Sequence, residues 1–172
     1  PRERMQRMRT FSLVITAAVV AFAAVVLMQQ FSAASGRQAF EAVKSDYRTS
    51  LGDAMAESER TGKPIYALVT ASWCAPCQVL KGNVLANDSV ASVLREDFVP
   101  VYLEETAAAE DLATLPPMVR SVYPTSIVID GGEIIAVLEG AASRSDFEGF
   151  LDEALAKTDA ADATAPAEAA SR

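Results

Sequence analysis

Six residues suited to a strand, Ile65-Tyr66-Ala67-Leu68-Val69-Thr70, lead almost at once into Trp73-Cys74-Ala75-Pro76-Cys77, and then into Gln78-Val79-Leu80-Lys81, which reads as helix. An unbroken apolar run of this kind marks a strand buried on both faces. A buried strand feeding a helix calls for helices layered on a central sheet, an α/β architecture. It also sets the chain's two cysteines at a helix N-terminus. Unpaired backbone N–H groups and the helix dipole favour an anion there, so the Cys74 thiolate is expected to be stabilised, titrating at about 3.5–7.5 instead of about 8.5. Cys77 falls one turn later on the same face, deeper and within bonding reach. The outer sulfur of such a pair attacks a substrate disulfide, and the inner one resolves the mixed disulfide.

Taken alone, a Cys-x-x-Cys spacing also fits half a metal site or an inert bridge. A structural zinc site takes four Cys or His ligands. The chain has no histidine and no other cysteine, so no metal and no cofactor is expected. A bridge over so short a loop constrains little chain entropy. The missing histidine also removes imidazole bases and Ser–His or Cys–His nucleophile pairs. The net charge of -8 argues against nucleic acid, which needs clustered Lys and Arg.

That charge is unevenly spread. Arg2, Arg4, Arg7 and Arg9 stand against Glu3 in residues 1–10, and no charged residue follows until Arg37. The apolar stretch Phe11 to Met28, broken only by Ser12 and Thr16, would extend roughly 27 Å as a helix, close to a hydrocarbon core of about 30 Å. Basic flanks stay cytoplasmic. The reading is a basic cytoplasmic flank over 1–10 and a transmembrane signal-anchor over 11–31. A cleaved signal peptide, with Ser32-Ala33-Ala34 at the cut, is the alternative. Either way the body is exported to the far side of the membrane, single-pass if the anchor is kept.

A linker with weak amphipathic spacing (Phe40, Val43, Tyr47) is expected over 32–48. A domain over 49–157 and a disordered, Ala-rich acidic tail over 158–172 follow. Ser50 and Asp53 resemble a capping box before a helix that Gly62 ends. Asp88 or Ser89 caps another. Phe98 to Leu103 reads as a strand that Pro100 places near an edge. Ala107 to Leu115 is predicted helical. Ser126 to Asp130 and Glu133 to Leu138 flank the hairpin signal Gly131-Gly132. Ser145 and Glu148 resemble a capping box for a last helix whose apolar face carries Phe147, Phe150, Leu151 and Leu155.

The segment Ala71 to Cys77, the segment Tyr123-Pro124-Thr125-Ser126-Ile127-Val128-Ile129-Asp130, and Gly140 after the hairpin together resemble the thioredoxin superfamily over roughly residues 40–157. Lys63-Pro64-Ile65 and Lys81 resemble its membrane-anchored, periplasmic disulfide reductases. The resemblance implies a thioredoxin-like fold, a mixed β-sheet flanked by helices and preceded here by one N-terminal transmembrane helix. It implies Cys74 as nucleophile and Cys77 as resolving thiol, forming a redox disulfide. Trp73 would rim the dithiol, Tyr123 would pair its backbone with an extended substrate, and a cis Pro124 would shape the groove. Ala75, Pro76 and Lys81 would tune the cysteine pKa, although Lys81 also reads as a plain solvated lysine. The superfamily's buried acid six residues before the first cysteine is replaced by Leu68, so resolution by Cys77 is expected to be slow or strongly pH-dependent.

The implied function is a membrane-tethered thiol–disulfide oxidoreductase, a protein-disulfide reductase in type. Its partners would be exported proteins with disulfides, such as apocytochrome or copper-site cysteines, and a membrane protein that supplies electrons. The other reading of the same two cysteines is a Cu(I)-binding metallochaperone or assembly factor, since soft thiolates suit Cu(I).

Overall fold

The computed structural model describes residues 15–28 and 38–164. The chain divides into two compact units, Pro1–Ser35 and Gly36–Arg172. In the first, residues 15–28 are helical and expose Ile15, Val19, Val20, Phe22, Val25, Leu27 and Met28. Among the described residues, no helix is long and apolar enough to cross a membrane. Residues 11–14 and 29–31 of the expected span lie outside the described residues, as do the basic flank and 32–37.

The second unit is a layered α/β domain. Helix α1 (Leu51–Thr61) starts at Ser50, whose hydroxyl accepts from the Asp53 N–H at 3.4 Å. It stops at Gly62, whose φ of 72° is open to glycine without strain. Strand β1 (Ile65–Thr70) is buried at every position. Helix α2 (Ala75–Leu80) continues as a π-helical turn over Lys81–Leu85. Helix α3 (Asp88–Asp97) is capped by Asn87, one residue before the expected Asp88 or Ser89, because Asn87 Oδ1 accepts from the Ser89 N–H. Then come β2 (Val99–Glu104), α4 (Ala109–Thr114), β3 (Thr125–Asp130), β4 (Glu133–Glu139) and α5 (Arg144–Thr164).

The sheet order is β2-β1-β3-β4. β1 runs parallel to β2 and antiparallel to β3, and β3 pairs antiparallel with β4. Pro100 therefore sits on an edge strand, where its missing N–H breaks no ladder. Alternation along β1 splits the core in two. Tyr66 and Leu68 face α2, α3 and α5, with Leu80, Leu94, Phe147 and Leu151. Ile65, Ala67 and Val69 face α1 and α4, with Leu51, Leu103, Leu112 and Ile127.

Three boundaries differ from the sequence reading. The segment 32–48 is not merely a linker. Residues 38–43 are helical, Phe40 and Tyr47 are buried in the core, and Arg48 bridges Val101 in parallel on the sheet edge. Two aromatic rings offer more burial than the weak periodicity suggested. The tail does not begin at 158: α5 runs to Thr164, and Thr158 is buried with its hydroxyl donating to the Ala154 carbonyl. Residues 165–172 lie outside the described residues. The cap of α5 is Ser143 with Asp146, not Ser145 with Glu148. The Asp146 N–H donates to Ser143 Oγ, while Glu148 receives the Ser89 hydroxyl.

Candidate active site

The two parallel strands end together, with Thr70 paired to Glu104. The Cys-x-x-Cys turn leaves from that end. Cys74 is the N-cap of α2, with extended backbone, and Cys77 lies in the helix's first turn. The two form a disulfide with Cα atoms 5.3 Å apart. The Cys77 N–H donates to Cys74 Sγ at 3.1 Å, so a helix-terminal donor is already aimed at the sulfur that would carry charge after reduction. Pro76 sits in the first turn, where a proline withdraws no helical hydrogen bond. Ala75 and Pro76 are exposed.

The expected contrast between an outer and a deeper cysteine is small in this oxidised form. Cys74 is 3% exposed and Cys77 1%. They cluster with Ala71, and Tyr123 packs against this cluster. The Tyr123–Pro124 peptide bond is cis and Pro124 is buried. Gly140, at φ 82°, donates its N–H to the Pro124 carbonyl and fastens this turn to the end of β4. Trp73 is 70% exposed. Its ring meets Tyr123 edge to face, with centroids 5.7 Å apart and planes at 88°.

Two glutamates that the sequence reading passed over complete the setting. Glu104 Oε1 accepts from the Ser72 N–H, and Oε2 accepts from the N–H groups of Thr106 and Ala107. These bonds, that to Ala107 foremost, hold its carboxyl below the usual range. Glu105 Oε2 accepts the Trp73 indole N–H at 2.9 Å. Burial, and then the Glu105 charge, push the Tyr123 phenol up. Parallel register was the missing signal: whatever follows β2 must lie beside whatever follows β1.

Lys81 is not the solvated lysine that was one of its two readings. It is 6% exposed. Its ammonium donates to Tyr102 Oη at 3.3 Å and lies over the Phe40 and Tyr102 rings, and none of its hydrogen bonds or ring contacts is to the cysteines. With Gln38, Phe40, Glu41 and Gln78 it lines a cleft of about 360 Å³. Leu68 is fully buried, and among the described residues no carboxylate is.

Burial, then neighbouring Lys44, lowers the Lys81 pKa. Between that lowered value and its ordinary one the unfolded chain holds more protons, so this group makes stability rise with pH there. Below that window both states are protonated and the burial penalty is fully present. Lys81→Met removes that penalty and loses one hydrogen bond and the ring contacts. We expect it to match or exceed the parent in urea stability at pH 7 by up to about 1 kcal/mol, with the advantage shrinking as the pH rises towards the ordinary lysine value. A loss above about 1 kcal/mol at pH 7 contradicts this.

A buried strand, a Cys-x-x-Cys pair capping the next helix, and a cis proline whose tyrosine neighbour packs on the cysteine cluster define a thioredoxin-type dithiol domain. A family profile described as thioredoxin-like matches residues 46–131, and the chain belongs to that family. Among solved structures, a thioredoxin from Thermus thermophilus aligns at 21% identity and TM-score 0.56, covering 67% of this chain and 92% of that one. A DsbH oxidoreductase aligns at 17% identity and TM-score 0.54, covering 64% and 85%. At these identities the two structures speak for the fold. No curated protein matches the chain.

Proposed function

We propose that the protein is a thiol–disulfide oxidoreductase acting through Cys74 and Cys77, and that it works as a reductase of exported proteins. The observation that carries the reading is the disulfide at the α2 N-cap, with a helix N–H on Cys74 Sγ and cis Pro124 in the adjoining turn. Cys74 is the nucleophile and Cys77 the resolving thiol. Trp73, the Tyr123 backbone and Pro124 form the substrate platform, in the manner of strand addition. Ala75 and Pro76 set the geometry of the turn, and Lys81 adds positive potential one turn beyond Cys77. The arginine cluster ahead of an apolar, exposed helix supports tethering to a bacterial inner membrane with the domain in the periplasm. The electron source would then be a membrane protein, and apocytochrome or copper-site cysteines suit the substrate role.

The reduction potential decides the direction. Such dithiols span about -270 to -120 mV. Equilibration with glutathione or dithiothreitol should place this pair in the lower third of that range. A value near the upper end would make the protein an oxidant. Tight stoichiometric Cu(I) binding without disulfide reduction would replace both with the metallochaperone reading.

A further inference from the structure

Cys74 is nearly sealed, although its neighbour Trp73 is the most open large side chain of the site. The cover is Tyr123, which packs on the cysteine cluster. Trp73 braces that cover by its edge-to-face contact. Trp73 is in turn held by one directional bond, from its indole N–H to Glu105. Glu105 itself is fixed from below, because its backbone N–H donates to the Thr70 carbonyl at 2.8 Å, at the end of β1. A chain of contacts thus runs from the sheet through Glu105, Trp73 and Tyr123 to the cysteine cluster.

We infer that Glu105 is a positioning residue: it latches Trp73 against Tyr123 and keeps the Cys74–Cys77 disulfide covered until a partner displaces the rings. The inference rests on the oxidoreductase reading for its purpose, though the latch itself is measurable without it. The indole–carboxylate bond is charge-assisted and partly exposed, strong enough to bias the rings and weak enough for a docking protein to exchange. Once the rings move, a thiolate attacks a disulfide sulfur and one Cys sulfur leaves as thiolate. A second thiol then closes the reductant's own disulfide and releases both cysteines reduced.

The test compares the full chain with Glu105→Ala and Glu105→Gln. Trp73 is the chain's single tryptophan, so its emission follows reduction of the neighbouring disulfide. With excess dithiothreitol, Glu105→Ala should be reduced about fivefold faster than the parent. Glu105→Gln keeps an acceptor for the indole N–H and should stay within about twofold of it. Turnover of insulin disulfides should move the other way in Glu105→Ala, because an unlatched platform is a poorer docking surface. Equal rates in all three chains overturn the latch. So does equal acceleration in both variants, which would mean that charge and not the bond matters. Parallel slowing with dithiothreitol and insulin in Glu105→Ala overturns it too, as mere structural damage. If the parent itself fails to reduce insulin, the oxidoreductase reading falls, while the dithiothreitol rates still decide the latch.

Discussion

A Cys74→Ser variant keeps its fold and loses disulfide exchange by on the order of a thousandfold or more, whereas Cys77→Ser still attacks once and then stalls as a mixed disulfide on Cys74. The asymmetry follows from position. Cys74 caps α2 and holds the helix donor, and Cys77 lies within the first turn. Removing the nucleophile leaves no sulfur to begin the reaction. Removing the resolving thiol leaves the first step intact. The fold survives because the bridge closes only a tiny loop, worth about 2 kcal/mol on a chain-entropy estimate against a net stability of about 5–15 kcal/mol. The measurement is insulin reduction for Cys74→Ser and mass spectrometry of trapped adducts for Cys77→Ser. Equal trapping by the two variants would make either cysteine a nucleophile; none by Cys77→Ser would remove the nucleophile from position 74. In the parent, with no buried carboxylate among the described residues to receive the Cys77 proton, resolution should accelerate steeply from pH 6 to 8 as the thiolate fraction grows. A flat profile would show that another group takes that proton.

Much of this site is local chemistry and therefore legible in the sequence. The strand before Cys74, the helix after it and Pro76 between the cysteines are adjacent residues with strong preferences. So is the hairpin, where Gly131 and Gly132 both take positive φ, 55° and 84°. What escaped depends on pairing between distant segments. Glu104 and Glu105 reach the site only because β2 runs parallel to β1. Phe40 and Tyr47 read as linker residues until Arg48 is seen bridging the outer side of β2. Lys81 invited a solvated reading because lysine rarely goes inside. Tyr102, whose ring and hydroxyl hold its ammonium, comes from that same edge strand. The end of α5 failed for a different reason. Its buried face continues at 147, 151, 154 and 158, but a threonine at 158, followed by alanines and aspartates, looked like the start of a tail.

That buried face also carries one of the largest fully buried side chains of the core. Phe147→Ala is expected to lower stability by about 3–5 kcal/mol, the range for deleting a buried ring without collapse of the space around it. Phe147 is fully buried, and its ring meets Tyr66 edge to face at 5.7 Å. Tyr66 lies on β1 and its hydroxyl is tied to Ser126 of β3 at 3.1 Å, so the strands cannot close easily over the vacancy. Phe150, half-buried next to it, should cost clearly less on truncation. Urea unfolding of the oxidised protein reads both, with an unchanged slope showing that the unfolded state is the same. The redox potential should hardly move in Phe147→Ala, since Tyr66 is four residues upstream of Thr70, where β1 ends, and the cysteines take their setting from α2, Tyr123 and Pro124. A loss under about 1.5 kcal/mol would mean that α5 is replaceable packing, and that the sheet keeps its shape without the helix that covers it.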